Sequence, residues 1–167
     1  CQIFTLNLGN KFDTSNVTGM GGMFSDCSNL KSLNLSSFDT KNVNSMYRMF
    51  SCCKNLGSID LSRFDTSSVT DMIEMFNECK KLEVLDLSSF DTSNVTDMSN
   101  MFYICGIRSI DLSGFDTSNV VDMSWMFKEC SLEELDVSNF DTSIVTDMSY
   151  MFSGMDLDYL DLSGFDT

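Results

Sequence analysis

The chain has 167 residues and a formal net charge of −15, because 25 Asp and Glu residues outnumber 10 Lys and Arg residues. It contains no His, which excludes Ser-His-Asp triads, Cys-His dyads and His-liganded zinc or haem sites. The negative charge disfavours binding to nucleic acids and to anionic membranes. The hydrophobic fraction of 43% is nevertheless sufficient for a folded chain, and no apolar run is long enough to suggest a transmembrane segment.

A unit of 25 or 26 residues is repeated along the whole sequence. Its clearest marker is the triplet Phe-Asp-Thr, which begins at Phe12, Phe38, Phe64, Phe90, Phe115, Phe140 and Phe165. A Met-Phe pair also occurs once per unit, and nearly all of the 13 Met and 14 Phe residues fall on repeated positions. The unusual composition therefore follows from the repeat.

Each unit contains a short apolar alternation, as at Leu85 and Leu87 on either side of Asp86. This period of two predicts a short β-strand whose acidic side chain lies on the opposite face. Apolar residues then recur at steps of three and four, which predicts a short helix, at Val95, Met98, Met101, Phe102 and Cys105. The predicted fold class is an α/β repeat solenoid with one short parallel β-strand and one short helix per repeat.

Such short elements are stable only when neighbouring units stack and bury their apolar stripes. We therefore expect residues 1–167 to form a single solenoid segment of about six and a half repeats. We expect this segment to be uncapped at both ends and part of a longer protein, since Cys1 already occupies a repeat position and Thr167 ends a Phe-Asp-Thr triplet.

Cysteines occupy one repeat position in nearly every unit. The row consists of Cys1, Cys27, Cys53, Cys79, Cys105 and Cys130, and Met155 takes the same position in the last unit. No CxxC cluster indicates a metal site. Replacement by Met favours free thiols in a structural core ladder, while disulfides between neighbouring units are the alternative.

A row of carboxylates occupies the position between the two apolar residues of each predicted strand. It consists of Asp60, Asp86, Asp111, Asp136 and Asp161, preceded by Asn7 and Asn34 in the earlier units. We expect these side chains to face outward along one surface. The row is either screened by solvent and counterions, or it forms a candidate binding surface for Ca²⁺ or a cationic partner. No EF-hand loop supports a dedicated calcium site.

The Asp and Thr of each Phe-Asp-Thr triplet are expected to cap backbone N–H groups at the turn between the two elements. The remaining aromatic residues are few. Trp125 and Tyr150 occupy one variable position, which other units fill with Gly22, Arg48, Glu74 and Asn100. They are expected to stack on adjacent repeats, either as packing or as part of a candidate binding surface, because Trp and Tyr dominate binding hot spots.

The stretch from Leu85 to Cys105 reads Leu-Asp-Leu-Ser-Ser-Phe-Asp-Thr-Ser-Asn-Val-Thr-Asp-Met-Ser-Asn-Met-Phe-Tyr-Ile-Cys. It resembles the repeat of the BspA-like bacterial surface proteins, and related repeats occur in mycoplasma surface lipoproteins. The resemblance implies a leucine-rich-repeat-like adhesin at the bacterial cell surface that binds host or neighbouring-cell ligands. It implies no particular binding residue.

Two functions remain open. The first is a non-enzymatic, extracellular ligand-binding module for protein or glycan. The second is a structural spacer or self-associating stalk, in which further copies of the chain stack end to end. No catalytic residue, cofactor or metal ligand set is predicted, because Ser and Asp recur as identical members of the repeat rather than as one distinct constellation. Ca²⁺ is the one ion that the acidic row leaves possible.

Overall fold

The computed structural model describes residues 3–6, 8–9 and 12–166. Two strands are defined, β1 at Thr5–Leu6 and β2 at Ser32–Leu33, and they pair in parallel with Leu6 opposite Leu33. Later repeats are joined on this side by an isolated parallel bridge between Val84 and Ser109. Single backbone hydrogen bonds between neighbouring repeats accompany that bridge.

The segment that was expected to be helical consists of consecutive turns, and no helix occurs in the described ranges. In the second repeat, the N–H groups of Met49, Ser51 and Cys53 donate to carbonyls three residues earlier. The intervening N–H groups donate to the next repeat, as Arg48 does to the Ile73 carbonyl at 2.8 Å. In an α-helix these N–H groups would donate within their own segment, so half of the donors are used here for stacking instead.

The turns account for the apolar steps of three and four as well as a helix would. The residues of positive φ lie four apart, for example Arg48 at 54° and Cys52 at 59°, and each is the third residue of a turn, as in type II turns. The apolar residues of the stripe are fully buried at Val43, Met46, Met49, Phe50 and Cys53. Ser, Thr and Asn, which occupy much of the segment, favour turns over helix interiors.

Phenylalanine rings stack through the centre of the molecule. The ring centroids of Phe76 and Phe102 lie 5.9 Å apart with an interplanar angle of 2°, and those of Phe102 and Phe127 lie 5.6 Å apart at 13°. These three side chains are fully buried. Burial of each ring stabilises the fold by roughly 1.5–3 kcal/mol. The Phe stack therefore forms a main part of the core, together with buried Leu, Met, Val and Cys side chains.

Threonine hydroxyls connect the repeats at a second place. Thr66 Oγ1 donates to the Asp91 carbonyl and accepts the Asp91 N–H, both at 2.8 Å. The Asp91 carboxylate stays within its own turn, where it accepts the Ser93 N–H at 3.0 Å. The Asp therefore has the local role that was expected, whereas the Thr joins one repeat to the next. The equivalent buried donors are Thr14, Thr40, Thr92, Thr117 and Thr142.

Candidate binding surface

Two positions in each turn segment have positive φ and carry different side chains in different repeats, and we call the surface that these residues form the turn face. None of its members is fully buried. Positive φ is costly for large side chains, yet one of these positions holds Trp125 at 62° and Tyr150 at 59°. The members are Gly22, Asp26, Arg48, Cys52, Glu74, Glu78, Asn100, Ile104, Trp125, Glu129, Tyr150 and Gly154.

The turn face carries an aromatic cluster in its later repeats. The ring centroids of Trp125 and Tyr150 lie 4.9 Å apart, and Tyr103 meets Trp125 edge-on at 5.7 Å. The Lys128 ammonium lies 3.8 Å from the centroid of the Trp125 ring and 5.3 Å from that of Tyr150. Glu129 Oε1 lies 3.8 Å from the same ammonium. The cluster is therefore held together by cation–π contacts.

Two members of this cluster are not singled out by the sequence alone. Tyr103 and Lys128 share the repeat position that follows the Met-Phe pair, where other repeats carry Ser25, Ser51 or Asn77. Alignment of the repeats could have identified this second variable position. The contact between this position and the Trp125 position, which lies three residues earlier in the repeat, depends on the conformation of the turns.

The earlier repeats carry ion pairs on the same face. Arg48 Nε lies 3.2 Å from Glu74 Oε2, and this carboxylate raises the pKa of Arg48. Lys54 Nζ lies 2.9 Å from Glu78 Oε2, and their hydrogen bond lowers the pKa of Glu78. The turn face thus changes along the stack from ion pairs to aromatic rings.

The carboxylates predicted to face outward are exposed on the side of the molecule that carries β1 and β2, which we call the strand face. Each accepts the N–H of the Ser two residues later, as Asp136 does from Ser138 at 2.9 Å. Asn34 makes the same bond with Ser36 at 3.0 Å. The equivalent members are Asp60, Asp86, Asp111 and Asp161. Asn7 lies outside the described residues.

Hydrogen bonds from serine outweigh the repulsion between neighbouring carboxylates in this row. The Ser138 side-chain and backbone groups lower the pKa of Asp136, although the charges of Asp111 and Asp161 oppose the shift. Asp86 behaves in the same way beside Ser88. The row is therefore negatively charged at neutral pH.

The cysteine row lies inside the stack. Cys53, Cys79, Cys105 and Cys130 are buried free thiols, Cys27 is a half-buried free thiol, and Cys1 lies outside the described residues. Burial raises the pKa of Cys53 and Cys105 to about 12 and that of Cys130 to about 11. These thiols are protonated at neutral pH, so they pack as apolar side chains.

Within the described ranges, no group of three or more His, Cys, Asp and Glu side chains is arranged to hold a metal ion. None of the described residues belongs to a helix that could span a membrane.

A family described as "Mycoplasma protein of unknown function, DUF285" matches the chain twice, over residues 1–109 and 76–167. The two matches overlap within the repeated region and together reach both ends of the chain. The comparison with curated proteins finds no match, and neither does the comparison with solved structures.

Proposed function

Because the chain belongs to this mycoplasma family of repeat-containing proteins, we propose that it is a non-enzymatic surface array of the BspA-like kind. Its role is that of a ligand-binding module, an adhesin for extracellular protein or glycan at the bacterial cell surface. The proposal includes a leucine-rich-repeat-like solenoid fold, in which turn segments take the place of the short helices.

The distribution of variable side chains is the observation that supports this proposal. The Phe, Met and Val positions and the Thr of the Phe-Asp-Thr triplet repeat almost unchanged and are buried in the inner repeats, whereas the turn face changes from one repeat to the next. A rigid stack that displays different side chains at regular intervals is the arrangement by which repeat proteins bind their ligands.

The aromatic cluster is the part of the turn face best suited to binding. Tyr150 is 60% exposed, and Lys128 holds the neighbouring rings in place before any ligand arrives. Pre-ordered aromatic side chains lose little conformational entropy on binding. Trp and Tyr are also the residues most enriched among binding hot spots.

The experiment is a binding screen of the chain against immobilised extracellular-matrix proteins and a glycan array. For any ligand found, the double variant Trp125→Ala/Tyr150→Ala is expected to weaken binding by about tenfold or more. The control is Val121→Ala/Ile144→Ala, which removes two exposed apolar side chains from the same part of the stack but outside the turn face. Equal losses in both variants would contradict a role for the aromatic cluster.

The alternative function is a structural spacer or self-associating stalk. Recurring backbone hydrogen bonds between neighbouring repeats favour it, because each repeat offers the next the same donors, as in the Met46 bond to Asp71 and the Met72 bond to Asp97. A stalk of this kind would associate increasingly with concentration in sedimentation velocity experiments. A monodisperse chain that binds ligands in the screen would favour the module.

A further inference from the structure

The strand face contains a groove of about 590 Å³ near the end of the stack, which we call the acid groove. Its apolar lining includes Ile110, Leu135 and the ring of Tyr159, which is 75% exposed. Its carboxylates include Glu134, Asp136 and Asp161. The groove is thus apolar along part of its surface and negatively charged along the rest.

Most of the carboxylates in the acid groove have no cationic partner among the described residues. Glu133 is paired, since Arg108 Nη1 lies 3.2 Å from its Oε1. Glu134, Asp136, Asp158 and Asp161 take part in none of the ion pairs of the described chain. The groove therefore offers uncompensated negative charge to a ligand.

This charge is not a requirement of the repeat. A groove on the strand face of the earlier repeats is lined by Leu33, Asn34, Asp60 and Arg63. There Asn34 makes the same serine bond as an Asp, and Arg63 donates to the Ser36 carbonyl at 3.2 Å. Since the charges of Asp60 and Arg63 balance in that groove, the acidity near the end of the stack is a local property.

The position of Tyr159 gives the acid groove a second recognition element. Tyr159 and Asp161 both line the groove. The Ser163 groups lower the pKa of Asp161 and the Tyr159 side chain lowers it further, so the ring lies beside a negative charge. A Lys or Arg side chain can lie over an aromatic ring while its charged end reaches a carboxylate. Half-buried Ile110 and Leu135 leave adjacent space for an apolar side chain.

We propose that the acid groove binds an extended basic segment of a partner protein, in which Lys or Arg alternates with apolar residues. The basic side chains reach Asp136 and Asp161, and the apolar side chains pack on Leu135 and Tyr159. This inference rests on the proposed function, because it specifies the chemistry of one ligand of the binding module.

The test uses a fluorescein-labelled peptide of alternating Lys and Leu, with binding to the full chain measured by fluorescence anisotropy. We expect saturable binding that weakens as salt is added. The variant Asp136→Asn/Asp161→Asn is expected to bind about tenfold more weakly, and Tyr159→Ser about fivefold more weakly. A peptide of alternating Glu and Leu is expected not to bind.

The matched control is Asp116→Asn/Asp141→Asn. These carboxylates belong to the Phe-Asp-Thr turns of neighbouring repeats, are exposed, and accept serine N–H groups at 2.9 Å, as Asp136 and Asp161 do. The two double variants therefore remove equal charge from equivalent hydrogen bonds. Equal weakening in both would mean unspecific attraction to a chain of net charge −15 and would overturn the proposal.

The same variants separate this inference from the proposed function. If matrix proteins bind in the screen but the peptide of alternating Lys and Leu does not bind, or binds Asp136→Asn/Asp161→Asn as tightly as the unaltered chain, the inference fails alone. If the basic peptide binds at the groove but no matrix protein or glycan binds, the adhesin function fails and the chemistry of the groove stands.

Discussion

Thr92 shows how a single side-chain oxygen can join two repeats. Its Oγ1 donates to the Asp116 carbonyl at 2.9 Å and accepts the Asp116 N–H at 2.8 Å. The side chain is buried, so water cannot replace either bond. The hydroxyl therefore satisfies two backbone groups that a buried turn would otherwise leave unpaired.

Replacement of this residue by a side chain of the same shape, Thr92→Val, is expected to lower the free energy of unfolding by about 1–3 kcal/mol, because the Asp116 N–H loses its partner. Urea denaturation followed by Trp125 fluorescence measures the change.

Thr96→Val is the control for that substitution. Its hydroxyl also donates to the preceding repeat, to the Thr70 carbonyl at 3.1 Å, but the side chain is exposed. We expect a change within about 0.5 kcal/mol. If both variants lost the same stability, the buried Thr92 hydroxyl would contribute no more than an exposed hydrogen bond.

For the turn segment, the sequence predicts which residues are buried but not the backbone conformation. The buried positions from Val95 to Cys105 follow from the apolar steps of three and four. The backbone conformation does not follow, because a chain that turns every four residues buries the same positions as a short helix. The turns differ from a helix in the acceptors of alternate backbone N–H groups. The Asn100 N–H, for example, donates to the Ser124 carbonyl of the next repeat at 2.9 Å.

The candidate surfaces were predictable to a similar extent. Alignment of the repeats placed Trp125 and Tyr150 on adjacent levels, and their rings lie in contact. The outward row of Asp side chains was also predictable from the period of two. The partners Lys128 and Tyr103 were not, because their contacts depend on the turn geometry. The acid groove combines several repeats, and a pattern within one repeat does not reveal it.

At the scale of the core stack, Phe102→Ala is expected to lower the free energy of unfolding by about 3–5 kcal/mol. The substitution leaves a cavity between Phe76 and Phe127 and removes a stacking partner from each. Phe4→Ala is the control, because Phe4 is 58% exposed. A loss below about 1 kcal/mol for Phe102→Ala would indicate that neighbouring repeats close the cavity, and chemical denaturation measures both variants.

For the whole molecule, stability should depend on pH chiefly at acidic values. Serine hydrogen bonds hold the pKa of Asp91, Asp111 and Asp116 below the ordinary value for aspartate. Because the folded pKa lies below the unfolded one, these groups stabilise the folded chain above about pH 4, and the contribution is lost as the pH falls through the folded value. The chain has no His to titrate nearer neutrality.

We therefore expect a melting temperature that is nearly constant from about pH 8 to pH 5 and that falls below about pH 4. Thermal unfolding followed by circular dichroism measures it. A chain that became more stable on acidification would show instead that repulsion among its carboxylates outweighs their hydrogen bonds with serine.

The backbone hydrogen bonds between repeats allow the number of repeats to change during evolution. Every pair of neighbouring repeats is joined by the same backbone hydrogen bonds. The Met46 N–H donates to the Asp71 carbonyl, and the equivalent Met72 N–H donates to the Asp97 carbonyl. In-frame duplication or deletion of one unit within the gene would therefore leave these bonds with partners. Such an event would change the length of the repeat stack by about 4.8 Å, the spacing of neighbouring strands. It would also change the side chains that the turn face displays.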